Sequence, residues 1–585
     1  MDPNDVFTTE IAGLPEASSP SVVRLRDGDA FGLRIRPVRK RIGDAEVRML
    51  GYNGSIPGPT LRVDQGSQIT VDVRNDGDVD ATVHWHGLRL ENRYDGVPQE
   101  TQAPIPSGGT FTYMVRFPDP GLYWYHPHIR EDFAQEMGLY APIVVEPSDP
   151  SYWPPVDRQL TITLDDVLIE GGKLAPFHHS GANFVAMGRF GNVMLVNGET
   201  VFSGEAAVGE VVRLYLVNTA NTRIFNIALR GARMKLVGGD SGRVEREEFV
   251  DEVLLAPSER AVVDVRFDTP GEAHLEHRTP EHTYDLGAFS VAGDAAEDAD
   301  SSFEELRTDP ELSAERQLIA RDFGREPDKV LSIVASMPLL YEEEVQASSY
   351  VCPMHAEVTS TEPGTCPKCG MRLVPSDALP AAGSHEGDGH DHDAHEEDHV
   401  RGGHAPSDHG GHEHSAHDHG GHDAGEHEQH GGHGHGGHDH GDHGDGLEWE
   451  DLMPEINRAS DAHNMLWKLV DPESGAENHR ISWKFTVGDR VKIRLVNEMD
   501  SDHPMHHPFH IHGAGRFLIL SRDGQIEPNL VWKDTVLLRA GETADILLYV
   551  TNPGLWMAHC HIAEHTEGGM MFSFEVAPSP EGASR

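Results

Sequence analysis

The chain has 585 residues, with 97 Asp and Glu against 47 Lys and Arg, a formal charge of −50. Such a field repels polyanions, which excludes nucleic acid as a partner and favours cations, metal ions included. No apolar run approaches the ~20 residues of a spanning helix, and the opening "MDPNDVFTTEIAGLPEASSP" has no apolar h-region. The expectation is a chain without a membrane span, cytoplasmic as given, and exported only if a signal was trimmed or a partner carries it.

In chain order, the first element is "GSQITVDVRN" (66–75), an alternating apolar strand between a Gly and an Asn. It recurs as "GEVVRLYLVN" (209–218) and "GDRVKIRLVN" (488–497). A second unit, "PGLYWYH" (120–126), recurs as "PGEAHLEH" (270–277) and "PGLWMAH" (553–559). Three copies of an alternating pattern bounded by Gly and Pro predict three antiparallel β-sandwiches. The boundaries read as 1–150, 151–295, and a third domain made of 328–347 plus 447–585, with 296–327 as an acidic linker. The sandwiches account for most of the chain at ~100–150 residues each. An insertion in domain three accounts for roughly 100 more.

Histidines follow a strand period. "VHWHG" places His84 and His86, and "WYHPHI" places His126 and His128. "HPMHHPFHIHG" (503–513) places His510 and His512, with His507 upstream, and "HCHIAEHTEGGM" (559–570) places His559 and His561. In an H-x-H pair on a strand both side chains face one way, and the residue between faces the other. One strand therefore serves two sites, with Cys560 turned away from His559 and His561. Cys560, His565 and Met570 are three of the four ligands of a blue-copper site, which needs one more His. Eight paired imidazoles exceed what one ion takes and suit three coppers. The middle copy carries Glu276 where the outer copies carry His126 and His559, and has no H-x-H pair. Domain two is therefore expected to be structural, and the histidine sites to lie between domains one and three.

The insertion has two parts. In "YVCPMHAEVTSTEPGTCPKCGMRLVP" (350–375), Cys352, Cys366 and Cys369 with His355 have the spacing of a compact metal clip. Met354 and Met371 add soft donors suited to Cu(I). A redox C-x-x-C is the rival reading, but no βαβ context surrounds it. Residues 377–446 form a His-rich segment with 19 of the chain's 39 His. It has little to bury and is expected to be disordered, either buffering copper or other divalent ions or acting as a solvated linker. All four Cys are thereby used by metal, leaving none for disulfides.

With these motifs the chain resembles the multicopper oxidases outside the insertion, and residues 348–376 resemble the heavy-metal-binding domain of bacterial metal efflux proteins. The resemblance implies an all-β fold of three cupredoxin-like Greek-key sandwiches and four copper ions. It assigns type 1 copper to His507, Cys560, His565 and Met570, and type 2 to His84 and His510. The type 3 pair takes His86, His126, His128, His512, His559 and His561. Asp95, in "NRYDGVPQ", matches the family's acidic residue beside the trinuclear site, where it aids proton delivery. Thr566 replaces the Glu that relatives often carry after the second type 1 His, with Glu567 next to it. The implied reaction couples one-electron oxidation of a reductant to reduction of O2 to water, by a chain expected to be monomeric. Cu(I) is the leading reductant, with Met505 and His506 as candidate contacts. Laccase-type oxidation of phenols and aromatic amines is the alternative, and copper storage with secondary oxidase activity a third. The insertion is expected to leave and re-enter domain three at neighbouring surface points.

Overall fold

The computed structural model describes residues 5–293, 301–341, 349–376 and 445–579. The His-rich segment falls almost wholly outside them. The described chain is predominantly β and forms three two-sheet sandwiches with an added small module, as expected, but each sandwich includes parallel strand pairs, so its sheets are mixed and not purely antiparallel. Domain one pairs a five-stranded with a four-stranded sheet, domain two a six- with a five-stranded sheet, and domain three a seven- with a five-stranded sheet. Among the described residues no helix is long and apolar enough to cross a membrane.

Both sequence repeats have a structural cause. The Asn ending each copy of the first repeat is buried, and its amide donates to two loop carbonyls. Asn75 bonds Val79 and Ile105 (both 2.8 Å), Asn218 bonds Arg223 and Leu255 (2.8 and 2.9 Å), and Asn497 bonds Met505 and Arg539 (2.7 and 2.9 Å). A buried carbonyl left unpaired costs ~1–3 kcal/mol, so each Asn fixes a crossover that would otherwise be destabilising. In the third copy it tethers the segment leading to His507. The Gly of the second repeat has φ of 149°, 131° and 143° at Gly121, Gly271 and Gly554, which L side chains rarely adopt.

Four strands carry the paired histidines: β1 (His84–His86), β2 (Gly121–His126), β3 (His507–Ile511) and β4 (Gly554–Cys560). β1 pairs antiparallel with β2, setting His84 opposite His126. β3 pairs antiparallel with β4, setting His510 opposite His559 and Phe509 opposite Cys560. Two short helices follow, α1 (Glu131–Ala134) after β2 and α2 (Ala563–Glu567) after β4. In domain two the corresponding Glu276 binds Arg230 and Arg278 at 2.5 and 2.8 Å instead.

Residues 301–327 are more ordered than a linker. The helix Pro310–Leu318 is capped by Asp309, and its Arg316 is ion-paired with Glu245. Leu312 and Ile319 are buried against Leu518, Leu520, Leu530 and Leu547 of domain three. The insertion leaves after Lys329–Ser336 and returns to Leu466–Asp471, which pairs antiparallel with that strand. The module's own ends are adjacent, with Ser349 Oγ 2.7 Å from Ser376 Oγ. It is not merely appended to the surface. Val351, Met371 and Val374 are buried in the domain-three core cluster.

Candidate metal centres

Eight paired histidines, two more histidines and one cysteine converge on four clusters. His507, Cys560 and His565 form one, His84, His86 and His510 a second, His86, His126 and His561 a third, and His128, His512 and His559 a fourth. Cys560 Sγ lies 3.5 Å from His507 Nδ1 and 3.6 Å from His565 Nδ1. Met570 is fully buried in the same core, and its carbonyl accepts from the Cys560 amide at 3.2 Å. Burial pushes the Cys560 thiol up, so its thiolate needs a cation beside it.

The histidine clusters draw on both outer domains. His512 Nε2 lies 3.2 Å from His128 Nε2 and 3.0 Å from His559 Nε2. The expected six type 3 histidines thus divide into two triads, and His84 and His510 remain with His86.

The fit of a metal can be judged from ring nitrogens. His84 Nδ1 donates to the Asp95 carbonyl (2.7 Å), His510 Nδ1 to the Asp534 carbonyl (2.8 Å) and His126 Nδ1 to the Pro127 carbonyl (2.9 Å). His86 is turned the other way, with Nε2 on Asp534 Oδ1 at 3.0 Å. The opposite nitrogens, His84 Nε2, His86 Nδ1, His126 Nε2 and His510 Nε2, are buried without a partner, as are both nitrogens of His561. Burial and mutual crowding hold His86, His126, His510, His512 and His559 well below the usual imidazole range. These are neutral rings pinned in one tautomer, presenting lone pairs to a common space. Unpartnered buried polar atoms are rare, and metal ions satisfy this set.

A supporting layer fixes the rings. Asp95, fully buried, accepts from His512 Nδ1 at 2.7 Å. Glu131, on α1, lies 2.8 Å from His128 Nδ1. Thr566 Oγ1 donates to the Cys560 carbonyl and lies 3.2 Å from His559 Nδ1. Glu567 Oε1 accepts from the Glu131 amide at 3.0 Å, tying α2 to α1. Asp534 holds His86 and is itself held by Arg260 of domain two, Nη1 to Oδ1 at 2.6 Å and Nη2 to Oδ2 at 2.5 Å. Domain two, free of ligands in the sequence reading, thus braces the centre. Sequence reasoning missed Asp534, Arg260 and Glu131; only Glu131, three residues after His128, had a local signal. Of the contacts expected for Cu(I), Met505 is core and His506 Nδ1 is committed to Glu448 Oε2 at 2.6 Å.

In the module, Cys352, His355, Cys366 and Cys369 converge as expected. Cys352 Sγ lies 3.6 Å from Cys369 Sγ and 3.7 Å from His355 Nδ1. The Cys369 thiol, and then His355, pull the Cys352 thiol down to about 5, which favours a metal-binding thiolate. All four cysteines are free.

Comparison with known proteins agrees with this geometry. Residues 37–150 and 453–580 match family models described as multicopper oxidase, and residues 349–376 match one described as heavy metal binding domain. The multicopper oxidase mco of Staphylococcus haemolyticus is 31% identical over 534 residues, 90% of this chain and 83% of that one. The chain therefore belongs to the multicopper oxidase family. Multicopper oxidase MmcO of Mycobacterium tuberculosis is 34% identical over 254 residues, and copper resistance protein A of Pseudomonas syringae pv. tomato 27% over 301; each match spans 49% of that relative. A solved multicopper oxidase from Campylobacter jejuni, titled a metallo-oxidase, shares the fold at TM-score 0.60 and 20% identity, covering 99% of this chain and 97% of that one.

Proposed function

We propose that the protein is a multicopper oxidase acting as a cuprous oxidase. His507, Cys560, His565 and Met570 would hold type 1 copper, His84 and His510 type 2, and the triads His86, His126, His561 and His128, His512, His559 the type 3 pair. Copper bound there supplies one-electron acceptance at the cysteine cluster and four-electron reduction of O2 to water at the histidine clusters. The observation that carries this reading is β4 and its continuation: Cys560 enters one cluster, while His559 and His561, bonded to it in sequence, enter the two type 3 triads. Opposite faces of one strand thus offer a short covalent path between them.

Asp95 is the carboxylate that would hand protons to that site, with one oxygen on His512 Nδ1 at 2.7 Å and the other buried 3.4 Å from His84 Nδ1. General acid catalysis typically contributes ~10²–10⁴-fold. Asp95→Asn is expected to slow reoxidation of the reduced enzyme by O2 by ~100-fold, with the anaerobic rate of type 1 reduction unchanged. Copper content measured on the same sample separates lost metal from lost proton supply. Unchanged turnover at saturating reductant would remove Asp95 from the reaction.

Cu(I) is favoured over phenols because the metal-binding module packs into the domain that carries the cysteine cluster. Relatives named for copper resistance point the same way. Laccase-type oxidation is the second reading. Oxygen uptake with Cu(I) and with a phenol, on one fully copper-loaded preparation, decides between them. A kcat/KM for Cu(I) below that for the phenol would reverse the order.

A further inference from the structure

The two triads read as the type 3 pair are held differently. In His128, His512 and His559 the Nε2 atoms face one another, His512 Nε2 lying 3.2 Å from His128 Nε2 and 3.0 Å from His559 Nε2. Each Nδ1 is turned outward to an oxygen. His512 Nδ1 lies 2.7 Å from Asp95 Oδ2, His128 Nδ1 2.8 Å from Glu131 Oε1, and His559 Nδ1 2.8 Å from the Cys560 carbonyl. Two of these three acceptors are carboxylates. In the other triad His86 meets Asp534 and His126 the Pro127 carbonyl, and neither nitrogen of His561 meets an acceptor from another residue.

Glu131 reaches His128 because the chain reverses between them. Arg130 has φ 49° and ψ 56°, the left-handed region, which a non-glycine residue keeps only where its surroundings over-determine it. Arg130 Nε and Nη2 pair with the two oxygens of Asp132, both at 2.8 Å, and Nη1 donates to the His178 carbonyl at 2.8 Å. Asn221 of domain two donates to the Asp132 carbonyl at 2.9 Å and to Glu564 Oε1 at 3.1 Å, clamping α1 and α2 to one side chain. The turn that presents Glu131 is thus fixed from three sides.

Glu131 is 1% exposed, and among the described residues no donor other than His128 serves its two oxygens. A carboxylate enclosed in this way is destabilising unless positive charge faces it. A neutral His128 offers one N–H and no charge. A metal ion on Nε2 of the same ring supplies that charge across the imidazole. The hydrogen bond at one ring nitrogen also decides which nitrogen carries the lone pair, and an anionic acceptor raises the basicity of the ring.

We propose that Glu131 is a positioning residue for His128 and that, together with Asp95 on His512, it makes His128, His512 and His559 the tighter of the two type 3 copper sites. The proposal rests on the multicopper reading of the clusters and is indifferent to the reductant. Thr566 does not fill this role, since its hydroxyl lies on His559 at 3.2 Å and carries no charge. The charged acceptor comes instead from α1 in domain one.

The test withdraws copper stepwise from the fully loaded protein with a chelator, following metal content and Cu(II) EPR on each sample. Glu131→Gln keeps an oxygen beside His128 and removes the charge. It is expected to release one copper at ~10–100-fold lower chelator concentration than the parent, with the others unmoved. Two coupled Cu(II) ions give no EPR signal. Emptying one of the pair should therefore add a signal of one Cu(II), from the ion left on His86, His126 and His561. A second measurement needs no variant. In parent crystals soaked in the chelator, copper anomalous scattering should fade at His86, His126 and His561 before it fades at His128, His512 and His559. Equal or reversed fading, release from the variant at the parent's concentration, or an equal weakening of every copper would overturn the assignment. The multicopper reading fails separately, if the loaded parent holds no copper in either triad.

Discussion

Cys560→Ser should give a folded protein with no blue colour, one copper fewer than the parent, and turnover at background with either reductant. The intense visible band of a type 1 site requires a thiolate on copper, and Cys560 is the one sulfur of its cluster that can be deprotonated. Ser is a smaller, harder donor, and its hydroxyl keeps the proton in a pocket already unfavourable to the thiolate. The histidine clusters use His559 and His561, which face away from residue 560, so the type 2 EPR signal should persist. Visible absorption, copper analysis and EPR on one sample check all three outcomes. A retained blue band would sink the assignment, and loss of the EPR signal with it would show that the two kinds of site do not form independently.

The second large effect is expected at a residue that is in none of the clusters but reaches His86 through Asp534. Arg260→Met should destabilise the protein by about 3–5 kcal/mol, the usual cost of breaking a buried ion pair from one side. Asp534 is 2% exposed and Arg260 fully buried, so neither charge has water to fall back on. Arg260 also donates from Nε to the Leu122 carbonyl on β2 and from Nη1 to the Ser258 carbonyl, both at 3.0 Å. Gly87, which follows β1 at φ +83°, leaves room for the pair; a Cβ there would lie 2.5 Å from Asp534 Oδ2. Because Asp534 orients His86 and His510, copper affinity at the histidine clusters should fall by ~10–100-fold. Adding Asp534→Asn removes the stranded charge while keeping an acceptor for His86, and should recover most of the stability. Urea unfolding and copper analysis measure both effects. An unchanged denaturation midpoint in Arg260→Met would mean that the charge pair has no net weight.

The clustered histidines could be read from sequence because a strand writes its geometry in a period of two. An H-x-H pair declares one face, and the Cys between His559 and His561 declares the other. The same periodicity, copied three times with its Gly and Asn, revealed three sandwiches. What escaped lies on contacts that no local pattern encodes. His86 and Asp534 are 448 residues apart, and Arg260 and Asp534 are 274 apart. The reading of domain two as structural followed from its lack of His pairs, but the same criterion could not register an Arg that acts through a carboxylate. The convergence of Cys352, His355, Cys366 and Cys369 was legible from their spacing. The module's docking was not, since Val351, Met371 and Val374 show a buried face only once domain three is folded against them.

The placement of β4 has a consequence for synthesis. The cysteine cluster and two of the three histidine clusters each draw at least one residue from 559–565, whereas His84, His86, His126 and His128 leave the ribosome more than 370 residues earlier. During that interval the first sandwich can fold on its own core but supplies two of the three residues to two histidine clusters and one of three to the other, with bare imidazoles open to whatever cation arrives. Correct metal occupancy is thus a matter of timing as well as affinity: a cell that admits zinc or nickel to the nascent chain risks trapping it before the closing strand is made.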